Sequence, residues 1–199
     1  MITVFTPTYN RAYILPKLYK SLCNQTFNDF EWIVIDDGSQ DNTIELLKEW
    51  EQEARIHLIH DEQPNGGKHR AINKGVNIAH GELFFIVDSD DQLPPDSLEK
   101  INIQLQYIKD DPSFAGICGI KAYFEVGGKS FFDIIECNSL DFRYKYQVSG
   151  DMAEVFRTEI LKEFPFPEIA GEKFCPEALV WNRIATKYKI RYFHENVYL

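Results

Sequence analysis

With 199 residues of ordinary composition, 44% hydrophobic, 14% aromatic and 26% charged, the chain holds enough material for one globular domain with a sizeable core and is crowded for two. A formal net charge of −10 argues against a general nucleic-acid binder, which needs a basic surface to displace counterions from phosphates. No apolar run of about 18 residues occurs, and Met1 to Thr6 enters a strand pattern without a basic leader, so a cytoplasmic protein is expected.

In chain order, Ile2 to Thr6 reads as a strand, and Ile14, Leu15, Leu18 and Leu22 form a helical stripe. Trp32 to Ile35 is the next strand, ending in Asp36-Asp37-Gly38-Ser39. Asp41 can cap a helix that buries Leu47, Trp50 and Ala54, and Ile56 to Ile59 follows as a third strand. Ala71, Ile72, Gly75 and Ala79 line another helix, and Leu83 to Val87 is a strand apolar throughout, as one covered on both faces should be. Leu98, Ile101, Leu105 and Ile108 mark a helix after Pro94-Pro95. Beyond it the pattern is less regular. Gly127-Gly128 between Tyr123 to Val126 and Lys129 to Phe132 signals a hairpin, and Ala153 to Phe156 looks like a short strand. Pro176 opens a helix through Ala178, Leu179, Trp181, Ile184 and Ala185, before a strand at Ile190 to Phe193.

Alternating strands and helices predict an α/β fold with a mainly parallel sheet and helices on both faces. In such open sheets the ligand crevice lies outside the carboxyl ends of the strands, which gathers Asp36, Asp37, Asp88, Asp90 and Asp91 around one site. Acids packed this closely repel one another unless a cation or several donors compensate. Carboxylates without clustered His or Cys suit Mg²⁺ or Mn²⁺, with phosphate oxygens completing the sphere; the plainer alternative is that the acids merely end the strand and cap the next helix. From Gln63 to Gly81 no acid occurs while Lys68, Arg70 and Lys74 do, which reads either as a local anion site or as a solvated helix face. Cys23, Cys118, Cys137 and Cys175 have no metal-type spacing and read as free thiols, and the five histidines likewise carry no ligand pattern.

Together these segments resemble the inverting family 2 glycosyltransferases of the GT-A fold. The resemblance runs over nearly the whole chain and rests on Thr6-Pro7-Thr8-Tyr9-Asn10-Arg11, Asp36-Asp37-Gly38-Ser39, Asn65-Gly66-Gly67-Lys68 and Val87-Asp88-Ser89-Asp90-Asp91. It implies a single GT-A domain over residues 1–199, with a nucleotide-sugar half to residue 91 and an acceptor half over 92–199. It implies nucleotide contacts from Thr6, Pro7 and Tyr9, with Asp37 reading the base and Asp36 beside it. Lys68, Arg70 or Asn73 lies near the base or diphosphate, and Asp88 and Asp90 bind nucleotide diphosphate and metal, Asp90 also acting in catalysis. Relatives often carry an arginine where this chain has Ile72, so the arginine is displaced or its role passes to Lys68 or Arg70. The donor expected is a UDP-sugar, because an ionised carboxylate accepts the uracil N3 proton, which cytosine lacks; guanine also offers a proton, so GDP stays open, as does dTDP.

Inverting transferases need a carboxylate base for the acceptor hydroxyl. Glu177, in Gly171-Glu172-Lys173-Phe174-Cys175-Pro176-Glu177, resembles that acid; Glu172 is a second candidate, and complementing the helix dipole is the structural alternative. Gly150-Asp151-Met152-Ala153 reads as an acceptor contact or as a turn, and Trp181 as core or as a sugar platform. The expected acceptor is a saccharide or lipid-linked saccharide. Members commonly continue past the point where this chain ends, and a further C-terminal region would support peripheral association with the inner face of the membrane. Two rivals are a sugar-1-phosphate nucleotidyltransferase, disfavoured because the first motif has no glycine for a triphosphate to approach, and a non-catalytic nucleotide-sugar-binding module.

Overall fold

The computed structural model describes residues 1–121, 134–148 and 150–199. The elements are β1 (Ile2–Thr8), α1 (Leu15–Cys23), β2 (Phe30–Asp36), α2 (Thr43–Glu53), β3 (His57–Glu62), α3 (Lys68–Ile78), β4 (Leu83–Ile86) and α4 (Ser97–Ile108). They continue with β5 (Phe114–Lys121), β6 (Ile134–Cys137), α5 (Ser139–Tyr144), β7 (Met152–Arg157), α6 (Thr158–Glu163), α7 (Ala178–Ala185) and β8 (Lys189–Tyr198). The hairpin expected around Gly127-Gly128 lies outside the described residues.

All the described strands form one sheet in the order β3-β2-β1-β4-β7-β5-β8-β6. The first half is parallel: β1 pairs with β2 and β4, and β2 with β3. The second half is mixed, with β7 antiparallel between β4 and β5, β8 parallel to β5, and β6 antiparallel to β8. Side chains alternate between the two faces of each strand. Ile2, Val4, Trp32, Val34, Leu83 and Phe85 pack on one side with Leu18, Leu47 and Leu98 from α1, α2 and α4. Phe5, Ile33, Ile35 and Phe84 pack on the other with Ile72, Ile160 and Val180 from α3, α6 and α7. Burial on both faces is why these strands read as continuous apolar runs.

Two local expectations change. Ala54 is not buried: it ends α2 in a left-handed conformation (φ 51°) and faces solvent. Asp41 caps from one residue further out, its carboxylate accepting the Thr43 amide at 3.1 Å while Asn42 occupies the cap position. Strand β5 escapes the sequence pattern because Gly116 and Gly119 interrupt its apolar run. Gly116 has a packing reason, since a Cβ there would lie 2.0 Å from the Val155 carbonyl oxygen of β7. Elements β6, α5 and α6 are likewise too short to declare themselves by period.

Candidate active site

The acidic turns stand where strands end. Asp36 closes β2, and its carboxylate accepts the amide of Ser39 at 2.8 Å and the Ser39 hydroxyl, so it is spent on folding the turn. Asp37 sits behind that turn, 6% exposed, and takes four donors: Gln63 Nε2 at 2.7 Å and the Gly66 amide at 2.8 Å on Oδ1, the Gly67 amide at 2.8 Å and Asn65 Nδ2 at 3.2 Å on Oδ2. A carboxylate offers about four lone-pair positions, so this set engages them all. Asp37 thereby fastens the 63–67 loop against β2. Gly67 leads into α3 with φ 97°, and a Cβ there would lie 1.9 Å from the Lys173 carbonyl oxygen, so only glycine permits both the turn and the close passage of the 173 strand of chain.

That geometry aims Lys68, the first residue of α3, into the cleft between the halves. Its Nζ lies 2.6 Å from Asp88 Oδ1 and 2.9 Å from Glu177 Oε1. Burial alone would depress the ammonium, but the charges of Asp88 and Glu177 and hydrogen bonds to both outweigh it, and its pKa is raised. Two cavities share Lys68 and Asp88 as their common wall. One, about 400 Å³, is lined by Pro7, Tyr9, Asp37, Asp88 and Asp90. The other, about 340 Å³, is lined by Asp151, Met152, Glu154, Glu177, Trp181 and Tyr198.

Each acid after β4 has its own cation: Asp88 has Lys68, Asp90 has Arg11 at 3.9 Å, and Asp91 has Lys121 at 3.5 Å. Side-chain cations thus relieve the repulsion in this arrangement, and no group of three or more His, Cys, Asp or Glu gathers around one point among the described residues. Asp88 and Asp90 nonetheless face the same cavity with 40% and 52% of their side chains exposed. Two hard carboxylates on one wall, with room for phosphate oxygens, are a donor set that Mg²⁺ or Mn²⁺ accepts.

Several expected residues are placed elsewhere. Thr6 is fully buried and its hydroxyl accepts the Trp32 indole N–H at 3.0 Å, so its side chain serves the core and does not line the cavity. Arg70 turns away from the Asp88 cleft, donating to Glu168 Oε2 at 3.1 Å and the Ile169 carbonyl at 2.8 Å, while Lys74 pairs with Asp61 at 2.7 Å. The acid-free stretch is therefore neutralised from outside rather than left open. Glu172 lines a separate cavity with Asn65 and Arg70, so of the two late acids it is Glu177 that faces Asp88. Trp181 is both core and wall: it packs on Phe156 at 4.4 Å and lines the second cavity.

Two site residues were missed from the sequence. Glu154 interrupts the otherwise apolar Met152–Phe156 segment, a signal that was available. Burial pushes its carboxyl up to about 7; Arg143 at 3.8 Å opposes this, and the charges of Glu177 and Asp151 add to it. Tyr198, 3% exposed at the end of β8, accepts the Asp88 amide at 2.8 Å, a contact spanning 110 positions that no local pattern announces. Burial, then the charges of Asp88 and Asp91, keeps its hydroxyl protonated.

Comparison with known proteins gives the family and the fold. The profile of glycosyl transferase family 2 matches residues 3–158, and the chain belongs to that family. It is 28% identical to glycosyltransferase GlyG of Streptococcus pneumoniae, covering all of this chain and 70% of that protein. It is 30% identical to a GalNAc(5)-diNAcBac-PP-undecaprenol beta-1,3-glucosyltransferase of Campylobacter jejuni, covering 98% of this chain and 62% of that protein. Among solved structures, S. aureus TarS 1-349 in complex with UDP-GlcNAc superposes with a TM-score of 0.75 at 24% identity, over 99% of this chain and 57% of TarS 1-349. The fold is thus that of the GT-A glycosyltransferases. The chain spans only part of each of these proteins, and Glu177 lies beyond the matched family segment.

Proposed function

We propose that the chain transfers a sugar from a UDP-sugar to an acceptor hydroxyl, with inversion, in the cleft between Asp88 and Glu177. The observation that carries this is the Lys68 ammonium held 2.6 Å from Asp88 and 2.9 Å from Glu177, which brings an acid of each half to one positive charge. In this reading the donor lies in the cavity of Pro7, Tyr9, Asp37, Asp88 and Asp90, and the acceptor in that of Asp151, Glu154, Glu177 and Trp181. Glu177 takes the proton of the acceptor hydroxyl; the oxygen attacks the anomeric carbon from the face opposite the diphosphate, and the bond to the diphosphate breaks. Asp88 and Asp90 would hold a divalent cation that would supply charge neutralisation for a diphosphate, and Lys68 adds a positive charge at the same place.

Asp37 would read uracil by accepting its imide N–H. Because its oxygens are occupied, the base must displace a donor, and the Asn65 amide at 3.2 Å is the longest of the four. Solved neighbours support a nucleotide-sugar donor of either kind, TarS being complexed with UDP-GlcNAc and with UDP, and a Pyrobaculum calidifontis mannosyltransferase with GDP-Man and Mn²⁺. The name of the Campylobacter jejuni relative supports a lipid-linked saccharide acceptor, and with it work at the inner face of the membrane; no helix among the described residues is long and apolar enough to cross one.

Titration calorimetry with UDP, CDP and GDP, in Mn²⁺ and in EDTA, tests this directly. Metal-dependent UDP binding that Asp37→Ala and Asp90→Asn lose, with donor hydrolysis lost in Glu177→Gln while UDP binding persists, is the expected result. Binding of GDP alone redirects the donor, and no nucleotide binding sinks the proposal.

A further inference from the structure

The turn that carries Asp88 has to be held after its strand has ended. The Val87 amide still donates to Phe5 of β1 at 2.8 Å, but β4 itself stops at Ile86 and the chain turns at once, the Asp91 amide closing on the Asp88 carbonyl at 3.1 Å. Asp88 therefore takes its acceptor from a side chain. The Tyr198 hydroxyl, brought in from the far end of β8, receives the Asp88 amide at 2.8 Å. The Asp91 carboxylate lies near the same hydroxyl, and Lys121, 3.5 Å from Asp91, lies 4.2 Å above the Tyr198 ring. The ring is fixed by its edge contact with Phe85 at 5.8 Å, and the strand end by the Leu199 amide donating to Gln92 at 2.9 Å.

We infer that Tyr198 is a positioning residue: its hydroxyl sets the backbone of the Asp88–Asp91 turn and thereby the direction in which Asp88 is presented to the donor. Asp91 belongs to this support, because its carboxylate faces Tyr198 and Lys121 while Asp88 and Asp90 face the donor-side cavity. The inference rests on the proposed donor site for its consequence, though not for its geometry. A single buried hydroxyl that accepts a backbone amide is a constraint that no packing of the ring replaces, since an unfilled amide in that place has nothing apolar to gain.

Tyr198→Phe removes one oxygen and keeps the ring against Phe85 and Lys121. Amide hydrogen exchange followed by mass spectrometry reads the geometry without any ligand. Exchange in the segment 84–92 is expected to rise about tenfold, while segments in β2, α2 and α3 stay unchanged. Unchanged exchange in 84–92 overturns the inference. Calorimetry with UDP and Mn²⁺ reads the consequence, with an expected loss of about fivefold in affinity, the scale of one hydrogen bond. Faster exchange with unaltered UDP affinity, in a protein whose unsubstituted form binds UDP, also overturns it, because the tyrosine would then be structural only. An unsubstituted protein that ignores UDP refutes the proposed function instead, and the exchange result alone then decides whether Tyr198 holds the turn.

Discussion

Replacing Glu154 with glutamine should make the protein more stable at neutral pH and remove a pH dependence the unsubstituted chain carries. Glu154 stands on β7 against Arg143, Glu177, Asp151, Tyr192 and Cys118, and burial lifts its pKa from 4.5 to about 7. A carboxyl whose folded value is raised keeps a proton that the unfolded chain gives up, so stability falls as pH climbs from about 4.5 to about 7 and is flat above. The gap corresponds to ~3 kcal/mol at 1.36 kcal/mol per pH unit, and since 25% of the side chain is exposed, screening trims this to ~2 kcal/mol. Urea unfolding at pH 5 and pH 8 measures it. The unsubstituted protein should lose about 2 kcal/mol more than Glu154→Gln across that interval. Equal losses in the two proteins would mean that Glu154 is ionised in the fold at pH 5, and the burial argument would be wrong.

Two further predictions concern the frame around the site. Glu31 is fully buried and accepts the Thr3 hydroxyl at 2.6 Å, the His80 amide at 2.7 Å and the His80 ring at 2.9 Å; burial works against its charge, but these bonds outweigh it and its pKa is lowered. Glu31→Ala strands those donors and should cost about 3 kcal/mol in urea unfolding at pH 7, with the gap to the unsubstituted protein narrowing as pH falls below about 4.5, where the unfolded chain takes up a proton that the folded carboxylate still resists. Gly67→Ala must relieve both a left-handed backbone and a Cβ 1.9 Å from Lys173, an expected cost of about 1–3 kcal/mol. Because the displaced segment runs into Glu177, donor hydrolysis should fall at least tenfold; a variant with ordinary hydrolysis and thermal midpoint would refute the clamp.

The site's polar anchors show how far local reading reaches. An apolar run ended by acids is a signal contained in a few residues, so the carboxyl-terminal turns after Ile35 and Val87 were legible, as was the parallel first half of the sheet. Arg70 and Thr6 were not legible in the same way. An arginine on a helix and a threonine on a strand have two sides to face, and only packing chose Glu168 for the one and Trp32 for the other.

The amino-acid sequence by itself determined the strand and helix alternation, the family, the acidic motif and a short set of late acids, because each is written in residues close together along the chain. Tertiary structure alone decided which acid faces which. Glu177 rather than Glu172 reaches Lys68, β7 enters antiparallel and carries Glu154 to the cavity wall, and Tyr198 comes to rest under Asp88. Those contacts join residues far apart in sequence, and their selection depends on how the described strands are ordered and on what the core will bury, quantities that no single segment holds.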